Sequence, residues 1–473
     1  MPAPDDVLEA LANRFPRTLE ELESLARIPG VSAAGFDPAE VERSARAIAA
    51  LLEDVGLDGV EILRVAGAHP YVTAHWRRAG PDAPTVLLYA HHDVQPPGRL
   101  DRWKSPPFEP TLREDGRLYA RGIVDDKAGV MVQVAALRAW LDARGELPCN
   151  VVVLVEGEEE IGSAHLAEFL RAHRERLVAD VIVLSDTANL EAGLPSITTS
   201  LRGLAVVDVH VRALDHPLHS GLWGGPVPEA ASALSVILAR LYDARGQVAV
   251  PGFHDGVPAP TPAERAIRSA LPFDEAGFRR DAGLVEGARI AGDDRATVYE
   301  RLWTQPSLSV TALEAVPLAE SANQLIAEAS ARVGVRVAPS QDPGALAERV
   351  ASFLRRDPPW GVEVQTGIQA LAPGWETRTD HPAFAAARRA LHSGFGRDAV
   401  FIGCGGTIPF VGPFAEVLGG APALLLGLED PVCNAHGENE SLHLGDFRKA
   451  AESTAHLLQE LRALGASPAA DRR

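Results

Sequence analysis

Four apolar runs in this chain each end on residues able to bind a cation. TVLLYA, from Thr85, is followed by His91, His92 and Asp93, and NVVVLV, from Asn150, runs into EGEEE with Glu158, Glu159 and Glu160. DVIVLS, from Asp180, is followed by Asp186, and APALLLGL, from Ala421, by EDPVCNA and His436. A fifth stretch, ARGIVDDKAG, sets Asp125 and Asp126 at the start of a helical pattern. Each has an ordinary explanation on its own. A charge run is usually a solvated turn, an Asp pair at a helix start is commonly a cap or dipole partner, and a core histidine with a carboxylate partner accounts for HxD. Convergence changes the reading. Carboxylates a few ångströms apart raise one another's pKa unless a cation lies among them. Imidazole with carboxylate, and no thiolate, suits zinc, manganese or cobalt. Two His and three carboxylates suffice for two metals if one carboxylate bridges, and such pairs sit about 3.5–4 Å apart around an activated water.

The apolar runs do not alternate with polar residues, so each reads as a strand buried on both faces, the habit of a parallel sheet covered by helices. Between and around them lie the helical patterns PAEVERSARAIAALLEDVG, DDKAGVMVQVAALRAWLDARG and HPAFAAARRALHSGFG, each closed near a glycine. This order predicts an α/β layered domain, with ligands outside the carboxyl ends of the strands. The middle of the chain differs. AVVDVHV and ARVGVRVAP alternate, with Val333, Val335 and Val337 on one face and Arg332, Gly334 and Arg336 on the other. With the helices PEAASALSVILARLYD and PGALAERVASFLRRD they predict a smaller α+β domain with one open sheet face. The expected organisation is a domain of residues 1–203 and 377–473 interrupted by an inserted domain of residues 204–376. The stretch from Asp255 to Pro306 receives no role.

A chain of 473 residues exceeds one ordinary core. With 45 basic against 64 acidic residues the formal charge is -19, which disfavours nucleic acid and anionic membrane as partners. Cys149, Cys404 and Cys433 form no CxxC pair, which fits a reducing cytosol. The start, MPAPDDVLEALANRFP, lacks the pattern of a signal peptide, and no apolar stretch approaches the roughly 20 residues of a membrane span. A soluble cytoplasmic protein is expected.

Taken together, YAHHDVQP, ARGIVDDKAG, EGEEEIGS, VLSDT, HSGLWGGPVPEA, PSLSVTALE and NAHGENE resemble the motifs of the M20 metallopeptidases, on the side of the cytosolic nonspecific dipeptidases and carnosinases. The resemblance runs from about Ala26 to Leu444. It implies a di-metal peptidase domain with a mostly parallel central sheet and helices on both faces, interrupted by an α+β lid and dimerisation domain, in a homodimer. By resemblance His91 and Asp186 hold one metal, Glu160 and His436 the other, and Asp125 bridges them, with zinc ahead of manganese or cobalt. Asp93 orients the His91 ring, Glu159 is the general base, and the peptide after Asp125 is cis. In the insertion, His219 of HSGLWGG reaches the partner subunit's site and donates to the developing oxyanion. Arg336 grips the substrate's terminal carboxylate, although Arg332 shares its face and the residues alone do not choose between them. Asn323 and Thr407 match further substrate contacts.

One motif departs from the family. Dipeptidase relatives commonly read REGGSIP where this chain has GCGGTIP, from Gly403 to Pro409. The metal residues are untouched, but the substrate pocket is altered; Cys404 reads as a small packed residue in a tight turn. The implied activity is hydrolysis of dipeptides by water activated between two divalent metals, with Glu159 as base. The rivals are an N-acyl-amino-acid amidohydrolase on the same core, which needs no recognition of a substrate amine, and a catalytically silent metal-binding homologue.

Overall fold

The computed structural model describes residues 1–292, 295–406 and 411–465. The chain forms two compact units. One is built from Met1–Thr199, Thr377–Ile402 and the C-terminal part of the chain, the other from Ser200–Glu376 with the short stretch that starts at Gly403.

In the first unit a mixed sheet runs in the order Asp58–Leu63, Tyr71–Trp76, Asn150–Glu156, Thr85–His91, Val181–Leu184, Ala423–Leu425, Ser196–Leu201. The central strands, from Asn150–Glu156 to Ala423–Leu425, are parallel to one another. The flanking pairs are antiparallel. The pleat sends alternate residues to opposite faces, and both faces are covered. Val151, Val153 and Val155 join the core shared with helices Asp5–Ala26, Ala128–Arg144, Pro382–Phe395 and Leu444–Arg462. On the other face Tyr71 stacks on Phe169 at 4.0 Å and Tyr89 meets Phe414 edge-on at 5.1 Å, which seats helices Leu166–Ala172 and Val411–Val417 there. Helix Ala128–Arg144 is buried all round from Ala128 to Trp140, so it shows no amphipathic stripe and forms the centre of its layer. It ends at Gly145 in the left-handed conformation, φ 68°, as a closing glycine predicts.

The second unit carries a four-stranded antiparallel sheet in the order Ser307–Glu314, Glu328–Val337, Gly203–Arg212, Glu363–Ala372. Ala205, Val207, Val209 and Val211 alternate with more exposed residues and pack with Val333, Val335 and Val337 against helices Ala230–Ala239 and Pro343–Arg355. Among its described residues the 255–306 stretch holds three short helices, Pro262–Ser269, Glu275–Asp281 and Val298–Trp303. Two of them start at capping boxes, Thr261 with Glu264 and Thr297 with Glu300, a T-x-x-E signal that was there to be read. Among the described residues no helix is long and apolar enough to cross a membrane.

Candidate metal centre

Strand ends, the Ile123–Lys127 segment before helix Ala128–Arg144 and the loop that carries His436 bring the five candidate ligands of the first unit together. His91 closes the Thr85–His91 strand and is fully buried. Its Nε2 lies 3.0 Å from Asp125 Oδ1, 3.7 Å from Asp186 Oδ1 and 4.0 Å from Glu159 Oε2. On the other side of Asp125, His436 Nε2 lies 2.9 Å from Asp125 Oδ2 and 3.1 Å from Glu160 Oε2. Asp125 therefore presents one oxygen to each imidazole. Glu159 and Glu160, in one short turn after the Asn150–Glu156 strand, diverge toward the His91 side and the His436 side respectively. The Asp125–Asp126 peptide is cis.

A set of hydrogen bonds holds these side chains in place. His91 Nδ1 lies 3.1 Å from the Asp93 carbonyl oxygen and 3.3 Å from its Oδ1. The Asp93 carboxylate also accepts the backbone N–H groups of Glu159 at 3.2 Å and Glu160 at 3.1 Å, and the Ser32 hydroxyl at 2.6 Å. Gln95 donates from its backbone to Glu160 Oε1 at 3.0 Å and from its side chain to Oε2 at 2.8 Å. Arg121 and Glu440, both buried, pair at 2.7 Å. Glu440 accepts the N–H groups of Gly122, Val124 and Asp125, while Arg121 donates to the carbonyls of His436 and Gly437, each at 3.0 Å. One ion pair thus anchors the backbone on both sides of the Asp125 bridge. His436 has φ 62°, a left-handed conformation costly for a residue with a side chain and tolerated where the surroundings over-determine it. Arg121, Glu440 and Gln95 stand inside the motifs quoted above, but nothing in the sequence says that they meet. Asp126 is buried and takes the His91 N–H at 3.2 Å.

The electrostatics call for a cation. Burial first, then the charge of Asp186, pushes Glu159 well above the usual carboxylate range. Burial and Asp125 push Glu160 up to about 7. Asp125 moves the other way: burial opposes its charge, but hydrogen bonds with His436 and His91 hold it below the ordinary range. The same bonds from Asp125 and Glu160 raise His436 to about 11. Oxygen and nitrogen donors that cannot all be ionised without a counter-charge, with no thiolate, fit divalent cations. Ligand atoms of His91, Asp125 and Glu160, of His91, Asp126 and Asp186, and of Asp125, Asp186 and Glu429 each lie within 4.8 Å of one another. The first and third groups share Asp125. The glutamate run is divided, however. Glu156 and Glu158 are fully buried and face tyrosine: Tyr89 donates to Glu156 at 2.7 Å and Tyr71 to Glu158 at 2.8 Å. Hydrogen bonds accommodate that pair, Glu158 also accepting the His165 backbone N–H at 2.9 Å and lying 3.0 Å from the His165 ring.

In the second unit His219 is exposed, its Nδ1 accepting the Gly221 N–H at 3.0 Å. It pairs with Gln324 in a two-stranded ribbon, and Ser220 N–H donates to the Asn323 carbonyl at 2.8 Å, so His219 and Asn323 are neighbours. Arg332 is bound bidentate to Asp208 at 2.7 and 2.8 Å. Arg336 is half-buried near Arg202, a residue that no motif in the sequence marks. Burial first, then the Arg336 charge, lowers Arg202 to about 10. Its guanidinium donates to Gly405, Arg301 and Gln305 carbonyls and to the Ser307 hydroxyl. Gly403 packs so closely on Trp303 that a Cβ there would lie 2.5 Å from the Trp303 Cβ. Thr407 lies outside the described residues.

Residues 87–460 match the model of peptidase family M20/M25/M40. The chain is 31% identical to a cysteinylglycine-S-conjugate dipeptidase of Corynebacterium striatum, over 88% of this chain and 89% of the relative. It is 29% identical to the human beta-Ala-His dipeptidase, over 80% of this chain and 75% of that protein. Among solved structures, the di-peptidase Dug1p from Saccharomyces cerevisiae superposes with a TM-score of 0.82 at 25% identity, covering 98% of this chain and 99% of that one. The chain belongs to peptidase family M20/M25/M40.

Proposed function

We propose that this M20 peptidase is a metallo-dipeptidase in which His91, Asp186 and Asp125 hold one divalent cation and His436, Glu160 and the same Asp125 hold a second. The observation that carries the reading is the split Asp125 carboxylate, 3.0 Å from one imidazole and 2.9 Å from the other. The relatives named as dipeptidases supply the substrate class. Such cations, zinc ahead of manganese or cobalt, act as Lewis acids and lower the pKa of water toward about 7.

The chain's own groups do the rest. Glu159, whose carboxylate lies 4.0 Å from His91 Nε2, takes a proton from the attacking water as its oxygen bonds to the scissile carbonyl carbon. It then returns that proton to the amine as the C–N bond breaks. Asp93 keeps the His91 ring and the Glu159–Glu160 turn in register. His219, reaching in from a second copy of the chain in a homodimer assembled through the inserted unit, donates to the carbonyl oxygen as charge develops there. Arg336 receives the substrate's terminal carboxylate, with Asn323 and Thr407 as further contacts; the engagement of Arg332 with Asp208 favours Arg336 for that part. The reading places the enzyme in the cytoplasm with small peptides as its partners.

The test is a panel of Ala-Ala, β-Ala-His and N-acetyl-amino acids, run with zinc, manganese and cobalt in turn. Turnover of the dipeptides is expected. Cleavage of the N-acetyl compounds alone would transfer the assignment to an amidohydrolase, and no hydrolysis by a metal-loaded protein would make it a silent homologue.

A further inference from the structure

The carboxylates at the strand ends are not all used by the reading above. Both Asp125 oxygens face imidazoles, Glu160 faces His436 and Gln95, and Asp93 holds Ser32 and two backbone amides. Asp126 holds the His91 N–H, Asp186 lies toward His91, and Glu159 is the base. Glu429 is left over. It is half-buried, and among the described residues its side chain accepts no hydrogen bond and joins no ion pair. One of its oxygens lies within 4.8 Å of ligand oxygens of both Asp125 and Asp186. Its backbone is pinned: the Asn189 N–H donates to the Glu429 carbonyl at 2.6 Å, beside a parallel bridge from Ala188. A half-buried carboxylate fixed beside two others and without an internal donor is placed to meet a cation that arrives with the substrate.

A dipeptide carries such a cation. Backbone geometry puts its α-ammonium nitrogen about 2.5 Å from the scissile carbonyl carbon. An acceptor of that ammonium then lies about 5 Å from the carbon under attack, given a hydrogen bond of about 3 Å. The carbon must sit beside the group that delivers the water, at the Asp125–Asp186–Glu159 end of the site, and Glu429 borders that end.

We propose that Glu429 receives the free α-ammonium of the dipeptide and so makes the site selective for an unblocked amino terminus. This specificity role rests on the dipeptidase reading. An acylated or deaminated substrate brings no charge to this place and forgoes the ion pair with Glu429, so discrimination rests on that one attractive contact.

The experiment compares Ala-Ala with N-propionyl-alanine, which is the same molecule without its α-amine, on metal-loaded wild-type enzyme, Glu429→Gln and Glu429→Asp, with metal content measured for each. Wild type favours Ala-Ala. Glu429→Gln raises KM for Ala-Ala by about 10- to 100-fold, the loss of one charged hydrogen bond, leaves N-propionyl-alanine unchanged and keeps its metal. Glu429→Asp, with the charge one methylene short, falls between and serves alone if the Gln variant does not fold. An unchanged preference in an enzyme that cleaves Ala-Ala overturns the inference only. A variant short of a metal ion overturns it too, because Glu429 is then a ligand. A wild type that cleaves N-propionyl-alanine but not Ala-Ala removes the dipeptidase reading and this inference together.

Discussion

The Asp93 carboxylate accepts the backbone N–H of Glu160 at 3.1 Å while its other oxygen lies 3.3 Å from His91 Nδ1. One side chain therefore ties an imidazole of the first strand end to the glutamate turn of the second. Partners of this kind typically cost about 10- to 100-fold in metal affinity when removed. Asp93→Ala is expected to weaken metal binding by that factor and to lower kcat with it, read by competition with a chelating dye. Wild-type metal affinity in the variant would leave Asp93 without the positioning role.

The Arg121–Glu440 pair is buried and anchors the chain on both sides of Asp125. Glu440→Gln leaves a guanidinium in the interior facing a neutral partner, and breaking one side of a buried pair costs about 3–5 kcal/mol. Urea unfolding should show a loss of that order. The double change Arg121→Met with Glu440→Leu should regain much of the stability, yet bind metal more weakly than wild type, because the acceptor for the Asp125 loop is gone. Full metal affinity in the double variant contradicts the anchoring role.

Burial raises Glu156 to about 8, against the pull of its hydrogen bond from Tyr89. A carboxyl whose pKa is higher in the folded chain binds more protons there than when unfolded, so its contribution to stability falls as pH rises from about 4.5 to about 8. The steepest slope is about 1.4 kcal/mol per pH unit for one proton. Glu156→Gln, which mimics the protonated form, should flatten that part of the stability–pH curve and be no less stable than wild type at pH 8. Measurements on metal-free protein by urea titration at several pH values decide it; an unaltered slope speaks against a protonated Glu156.

His219 is exposed on its own chain, as a residue offered to a second copy would be. His219→Ala should keep both metals and lose about 10²–10³ in kcat, the usual effect of losing one oxyanion donor. Mixing it with Glu159→Gln protein should restore part of the activity through exchanged dimers. A mixture as inactive as its components means that the site lies within one chain.

Much of the centre was legible because strands buried on both faces show as unbroken apolar runs, and the residues just after each run must emerge at the same sheet edge. That rule points to His91, the glutamate run and Asp186 at one edge, whereas the choice of His91, Asp125, Glu160, Asp186 and His436 as a ligand set came from the resemblance to the M20 metallopeptidases. The glutamate run was harder to divide: Glu156 and Glu158 look identical to Glu159 and Glu160 in sequence, and the partners that separate the pairs, Tyr89, Tyr71 and His165, carry no signal of it. Arg121 and Glu440 stand 319 positions apart, and no local pattern signals such a contact. Glu429 lies in an EDP turn that reads as a polar connection until its distance to Asp125 and Asp186 is known. That Arg332 is engaged by Asp208, a residue of another strand, is likewise not signalled by any local pattern.

The claim on which all the chemistry depends is that two divalent ions share Asp125, and metal counting tests it most directly. Wild-type protein equilibrated with zinc and freed of excess should hold two ions per chain by elemental analysis, His436→Ala should hold one, and Asp125→Ala should lose its hold on both. A wild type with no bound metal, or an Asp125→Ala variant that still retains two, contradicts the account.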